Sequence, residues 1–246
     1  MSSKSRMTRR GFVRLCASAV ALISAMPSAL AQPGARLRRY QRARLVDVND
    51  RPITSESLAV GENYLFHYPF LATPCFLLNL GRAAMPTQLK TEDGQTYQWQ
   101  GGVGPGRSVV AFSAICAHKM SHPARTVSFI NYRHERVRYQ DSGERPAEQA
   151  QVIYCCSEKS VYDPAQGARV LGGPARQPLA AIVLEEDADG ALHAVGTFGG
   201  EMFERFFREF GMRLTLEHGT SKIRTPVAGS AQVMRLADYS DKQMRC

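Results

Sequence analysis

Ile115-Cys116-Ala117-His118-Lys119-Met120-Ser121-His122-Pro123 and Tyr154-Cys155-Cys156-Ser157-Glu158-Lys159-Ser160-Val161-Tyr162-Asp163-Pro164 are the two stretches on which the reading of this chain turns. Each sets thiol and imidazole groups a few residues apart, between runs that read as β-strand. Soft donors grouped on turns are how a small β domain holds a metal centre between two loops. A third stretch, Leu171-Gly172-Gly173-Pro174-Ala175, follows the second box after Gly167 and reads as a tight turn.

The two boxes resemble the cluster-binding loops of the Rieske iron–sulfur proteins. In that family a Cys-x-His box and a Cys-x-x-His box each supply one Cys and one His, with the imidazoles on one iron and the thiolates on the other. The resemblance implies an all-β fold of small sheets carrying a [2Fe-2S] cluster on Cys116, His118 and Cys155. It also implies that Ser160 and Tyr162, in Ser160-Val161-Tyr162-Asp163, donate hydrogen bonds to cluster and ligand sulfurs. Gly173 and Pro174 then belong to the Gly-Pro-Ala turn that closes over the cluster.

The departures from the family are specific. Glu158 stands where the second His is expected and is the positional candidate for the fourth ligand, a hard oxygen donor in a soft set. Cys156 could take that place through a one-residue shift of the second loop, and His122 could if the first loop folds back. Ser121 and Ser157 stand where the family has two cysteines whose disulfide braces the loops. Between His118 and Cys155 lie 36 residues, including the polar stretch 133–150.

Outward from the boxes, runs at 43–48, 64–70, 75–80 and 96–100 alternate or are solidly apolar and are bounded by Gly, Pro, Asn and Asp. Tyr68-Pro69-Phe70 and Thr73-Pro74-Cys75 suggest two strands joined by a Pro-bearing turn. Cys75 reads as an inert buried thiol, Trp99 as a packing residue, and His67 as a satisfied core or edge histidine. The glycine-rich stretch 101–106 lacks the Gly-Lys-Ser/Thr ending of a phosphate loop and reads as a long turn into strand 109–115. Strands are expected at 126–132, 151–154, 179–184 and 191–198, which makes the class all-β.

At the N-terminus, Lys4, Arg6, Arg9, Arg10 and Arg14 precede an apolar run that ends in Ala29-Leu30-Ala31. This reads as a cleavable export signal over 1–31. Thr8-Arg9-Arg10-Gly11-Phe12-Val13 resembles the twin-arginine signal that carries folded proteins to the periplasm. The alternative is an uncleaved membrane anchor, but from 15 to 30 the run is short for a bilayer core of about 30 Å. The formal charge of +9 falls to +4 without those five basic residues. That is too mild for nucleic acid, and no basic stripe with interleaved aromatics follows. Arg36, Arg38, Arg39, Arg42 and Arg44 read as a solvated basic leader.

Residues 201–212 break the strand pattern. Met202, Phe203, Phe206, Phe207 and Phe210 recur at helical spacing, either packing on the same domain or presenting a docking face. The tail 213–246 suggests an extended strap with a short helix. Beyond the signal the cysteines are Cys75, Cys116, Cys155, Cys156 and Cys246. This odd set lies in a compartment that favours disulfides; a Cys116–Cys155 bridge is the alternative use of that pair, and Cys246 has no partner legible in the sequence.

No Ser-His-Asp, paired-carboxylate or nucleotide-binding constellation is present, so stand-alone catalysis is not expected. The resemblance implies periplasmic one-electron transfer to or from a redox partner such as a cytochrome or an oxidoreductase subunit, as in the small subunits of quinol- or arsenite-oxidising complexes. The other reading is a cluster-free binding or assembly protein on the same fold.

Overall fold

The computed structural model describes residues 37–246; the stretch 1–31 expected to be an export signal lies outside them. An eight-stranded sheet runs from edge to edge as β15 (Gly229–Gln232), β1 (Arg38–Val46), β14 (Leu192–Phe198), β13 (Ala181–Glu186), β6 (Val109–Ser113), β3 (Pro74–Asn79), β2 (Tyr64–His67) and β16 (Met234–Arg235). A four-stranded sheet runs as β12 (Arg169–Gly172), β11 (Ser160–Asp163), β10 (Val152–Cys155) and β7 (Ile130–Arg133). Two hairpins, β4 (Thr87–Lys90) with β5 (Thr96–Trp99) and β8 (Val137–Gln140) with β9 (Pro146–Gln149), and the helices α1 (Met202–His218) and α2 (Leu236–Tyr239) complete it. The all-β expectation, with a helix near the C-terminus, holds.

The solid apolar runs at β3 and β6 follow from their place between two layers. Side chains alternate along a strand, so Phe76, Leu78, Val110 and Phe112 face a core shared with Ile130, Ile153 and Tyr162 of the smaller sheet. Their neighbours Cys75, Leu77, Val109 and Ala111 face a second core with Phe203, Phe206 and Phe207 of α1. A strand buried on both faces has no polar side to show. Each fully buried phenylalanine of α1 contributes about 2 kcal/mol through lost apolar exposure.

Three sequence expectations change at this level. The basic leader is in fact the start of β1: Arg38 and Arg39 pair with Thr197 and Gly196 of β14, and Arg38 and Arg42 meet Glu201 and Glu185. The polar stretch 133–150 is a hairpin, because Val137 and Tyr139 pack on Val152, Tyr154 and Val161, the outer face of the smaller sheet. Helix α1 runs to His218, six residues past the boundary drawn at 212, and stops where Gly219 turns left-handed at φ 63°. The 213–246 segment therefore holds the last turns of α1, two strands of the large sheet and α2. Of the two readings of α1, packing on its own domain is the one observed. Among the described residues no helix is long and apolar enough to cross a membrane.

Three further readings hold, whereas His67 is not satisfied: its Nε2 is buried without a hydrogen-bond partner. Tyr68-Pro69 turns β2 into β3. The Cys75 thiol is buried and donates to the Tyr68 carbonyl at 3.0 Å, and burial pushes its pKa up. Trp99 packs in the core against Phe112.

Candidate metal centre

The first box leaves the end of β6 and closes on itself. The Cys116 amide donates to the Ser121 carbonyl at 2.8 Å, and the Met120 amide to the Cys116 carbonyl at 3.0 Å. Met120 turns the chain at φ 59°. The second box is the four-residue turn between β10 and β11, whose last ladder pair is Cys155 with Ser160. Lys159 takes φ 58° to close it. Gly173 backs this turn: a Cβ there would lie 2.2 Å from the Lys159 carbonyl oxygen, and its φ is +80°. Only glycine fits so close to another backbone. Pro174 beside it is exposed.

The two loops meet, and they meet in pairs. The buried thiols of Cys116 and Cys155 are neighbours, close enough to shift each other's ionisation. His118 Nδ1 lies 3.6 Å from Glu158 Oε2. The pairs differ in exposure: both cysteines are fully buried, whereas the His118 and Glu158 side chains are 28% and 24% exposed. The arrangement has a sealed sulfur end and an imidazole–carboxylate end whose side chains are partly exposed, although His118 Nδ1 itself is buried.

Electrostatics sets the two thiols apart. The nearness of Cys155, the Tyr162 hydroxyl and the His118 amide outweighs burial and holds the Cys116 thiol below its ordinary value. The Cys116 neighbour and burial push the Cys155 thiol up. The Tyr162 hydroxyl lies 3.3 Å from Cys116 Sγ and accepts from the Ala117 amide at 3.1 Å. Ser160 Oγ is buried without a hydrogen-bond partner, and so is His118 Nδ1.

Two buried polar atoms without partners at one spot, beside a pair of thiols, fit a missing group with metal and sulfide atoms. Leaving such atoms unsatisfied otherwise costs about 1–3 kcal/mol each. Among the described residues no three His, Cys, Asp or Glu side chains converge as ligands of a single metal ion. A dinuclear cluster does not ask for that: each iron takes two protein ligands, and the chain offers two pairs.

Both alternative fourth ligands are corrected. Cys156 is disulfide-bonded to Cys246, so its sulfur is spent, and the exposed Cys246 has a partner that was not legible in the sequence. His122 is turned away: Nδ1 sits 3.0 Å from the Met120 carbonyl and Nε2 3.2 Å from Glu217 Oε2. Its ring lies edge-on to Phe206 and Phe210 of α1.

Residues not singled out by the sequence hold the loops. Arg205 of α1 donates to the His118 carbonyl at 3.2 Å. Phe129 accepts from the Cys156 amide at 2.7 Å. The tail runs beside the segment after the first box, with Ser128 and Met244 joined at 2.8 Å and Asp241 and Arg125 at 2.8 Å. The cysteine count was the one signal for this, since an odd set including a terminal Cys invites a bridge.

No family model matches the chain. Among solved structures it is similar to the soluble domain of the Rieske protein II (soxF) from Sulfolobus acidocaldarius. The identity is 25%, over 64% of this chain and 78% of that one, with a TM-score of 0.43.

Proposed function

We propose that this chain is an exported, periplasmic electron-transfer protein holding a Rieske-type [2Fe-2S] cluster, with Cys116 and Cys155 on one iron and His118 and Glu158 on the other. The observation that carries the reading is the pairing itself: thiol beside thiol, imidazole beside carboxylate, with unpartnered His118 Nδ1 and Ser160 Oγ at the same place. When bound, such a cluster accepts and releases one electron.

The residues present do the rest. Cys116 and Cys155 would hold the cluster as thiolates, each without its proton. The Tyr162 hydroxyl, held by the Ala117 amide, donates to Cys116 Sγ and steadies added electron density. His118 and Glu158, partly exposed, face whatever donor or acceptor docks there. A quinol- or arsenite-oxidising type of complex, with a cytochrome or oxidoreductase subunit as partner, is the setting proposed. The Glu158 carboxylate brings negative charge where relatives have a neutral imidazole, so a midpoint potential below theirs is expected.

Metal and sulfide analysis of the exported protein tests this. The expected result is two irons and two labile sulfides per chain, with the visible absorption of a red-brown protein. Protein lacking both, with Cys116 bridged to Cys155, would establish the cluster-free binding protein instead. A potential as high as in two-imidazole relatives would refute Glu158 as ligand.

A further inference from the structure

On the far side of Glu217 from His122 lies a cleft of about 370 Å³ between α1, α2 and the β2–β16 edge of the large sheet. It gathers donors and leaves them unused. His67 Nε2 is buried with no hydrogen-bond partner. The His67 ring lies 5.5 Å from that of His218 and 5.8 Å from that of Tyr239, and the Arg125 guanidinium sits 4.5 Å over the Tyr239 ring. Among the described residues neither the Arg125 guanidinium nor the Tyr239 hydroxyl has an ion-pair or hydrogen-bond partner.

The acid at the rim is already engaged. Glu217 Oε2 meets His122 Nε2 at 3.2 Å, and Oε1 accepts from Arg213 at 2.6 Å. What the cleft lacks is an acceptor. We propose that it binds a small monocarboxylate, with the carboxylate on Arg125, His67, His218 and Tyr239 and its apolar body against Leu71 and Val227.

A buried unsatisfied imidazole nitrogen is costly, and a guanidinium matches a carboxylate in shape as well as charge. Burial and the nearby His218 and Arg125 hold His67 down to about 3, and burial lowers His218 too. At neutral pH both rings are therefore neutral N–H donors, and Arg125 supplies the charge. The volume suits a ligand of small-molecule size, and the apolar wall distinguishes a carboxylic acid with a hydrocarbon part from a bare inorganic oxyanion. The proposal is independent of the metal reading, since none of these residues belongs to the thiol or imidazole–carboxylate pairs.

Calorimetric titration of the full exported protein at pH 7 with benzoate, acetate and sulfate tests it. The expected result is saturable one-to-one binding of benzoate in the low millimolar range or tighter, weaker binding of acetate, and weaker still of sulfate. Arg125→Gln should weaken benzoate about tenfold, the loss of one charge-assisted hydrogen bond. Arg138→Gln, which removes an exposed charge elsewhere, should leave it unchanged. His218→Gln should also weaken it, and gives a second reading should Arg125→Gln fail to fold. The proposal is overturned by absence of saturable benzoate binding, by sulfate binding tighter than benzoate, or by equal affinity in wild type, Arg125→Gln and His218→Gln.

Discussion

Where the first ligand loop leans on α1 through Arg205, Glu217 and Phe206, the second is fixed by a covalent bond from Cys156 to Cys246 and by the glycine that backs its turn. Both loops do the same job, presenting one sulfur inward and one harder donor outward. They are held by different physics. Ser121 and Ser157, which stand where the loops' look-alikes carry a bracing disulfide, cannot form one. Here the disulfide ties the second loop to the C-terminus, and a helix secures the first. A loop secured by many weak contacts should soften gradually, whereas one secured by a bond and a steric fit should fail sharply.

The largest effect is expected from the bond. Replacing both Cys156 and Cys246 by serine removes a cross-link between residues 90 positions apart. For a loop of that length the chain-entropy estimate is about 4.6 kcal/mol. Denaturant unfolding should register that loss, and wild type under reducing conditions should match the double variant. If wild type in reductant keeps its stability, the tail's backbone hydrogen bonds to 125–131 hold the second loop without the bond.

Gly173→Ala attacks the same loop without touching a cysteine. The new methyl meets backbone at 2.2 Å from the Lys159 oxygen and 2.7 Å from the Ser160 Cα, at a φ of +80°. Strain of about 1–2 kcal/mol for the left-handed backbone adds to the displacement of β11, for a total of about 3 kcal/mol. Iron content of the exported protein should fall with stability, because the displaced strand carries Ser160 and Tyr162. Full iron loading in this variant would show that the second loop tolerates movement and is not held by fit.

Glu217→Gln probes the first loop, and here pH is the lever. Burial alone would raise this carboxyl, but the hydrogen bonds and charges of His122 and Arg213 outweigh it and bring it to about 2. Its folded pKa thus lies below the unfolded value of about 4.3. The stability it contributes is complete above the unfolded value and fades as pH falls toward the folded one. Wild type should exceed Glu217→Gln by about 2 kcal/mol at pH 7, and the gap should narrow between pH 4 and pH 3. A gap unchanged across that range would mean that the carboxylate's charge does not hold His122.

The sequence made the inner half of this arrangement legible and left the supports obscure, for a reason of distance along the chain. Cys116, His118, Cys155, Ser160 and Tyr162 sit within two short boxes, so a resemblance to known loops could point to them residue by residue. The strands behind them announced themselves by solid apolar runs, because β3 and β6 are covered on both faces. Supports such as Arg205 with His118, or Cys246 with Cys156, join residues 87 and 90 positions apart. Nothing local in an arginine on an amphipathic helix, or in a terminal cysteine, specifies its partner. The β8–β9 hairpin was hidden differently: apart from Val137 and Tyr139 it is polar, so its alternation is too faint to read as strand, although Asp141-Ser142-Gly143 marks its turn.

The smallest expected effect lies where the two loops touch. Tyr162 belongs to the strand after the second loop, yet its hydroxyl serves the first, at Cys116 Sγ and the Ala117 amide. Tyr162→Phe keeps the ring and removes both contacts, for about 1 kcal/mol of stability. In iron-loaded protein the lost hydrogen bond to sulfur destabilises the reduced, electron-richer state. The midpoint potential should therefore fall, by about 40 mV if the bond is worth 1 kcal/mol to a one-electron couple. Stability lost with an unchanged potential would assign the hydroxyl to the Ala117 amide alone, as a tie between loops. A lower potential with stability intact would assign it to the sulfur. Both changes together would make this one oxygen the point where the covalently held loop and the helix-held loop are joined and the centre is tuned.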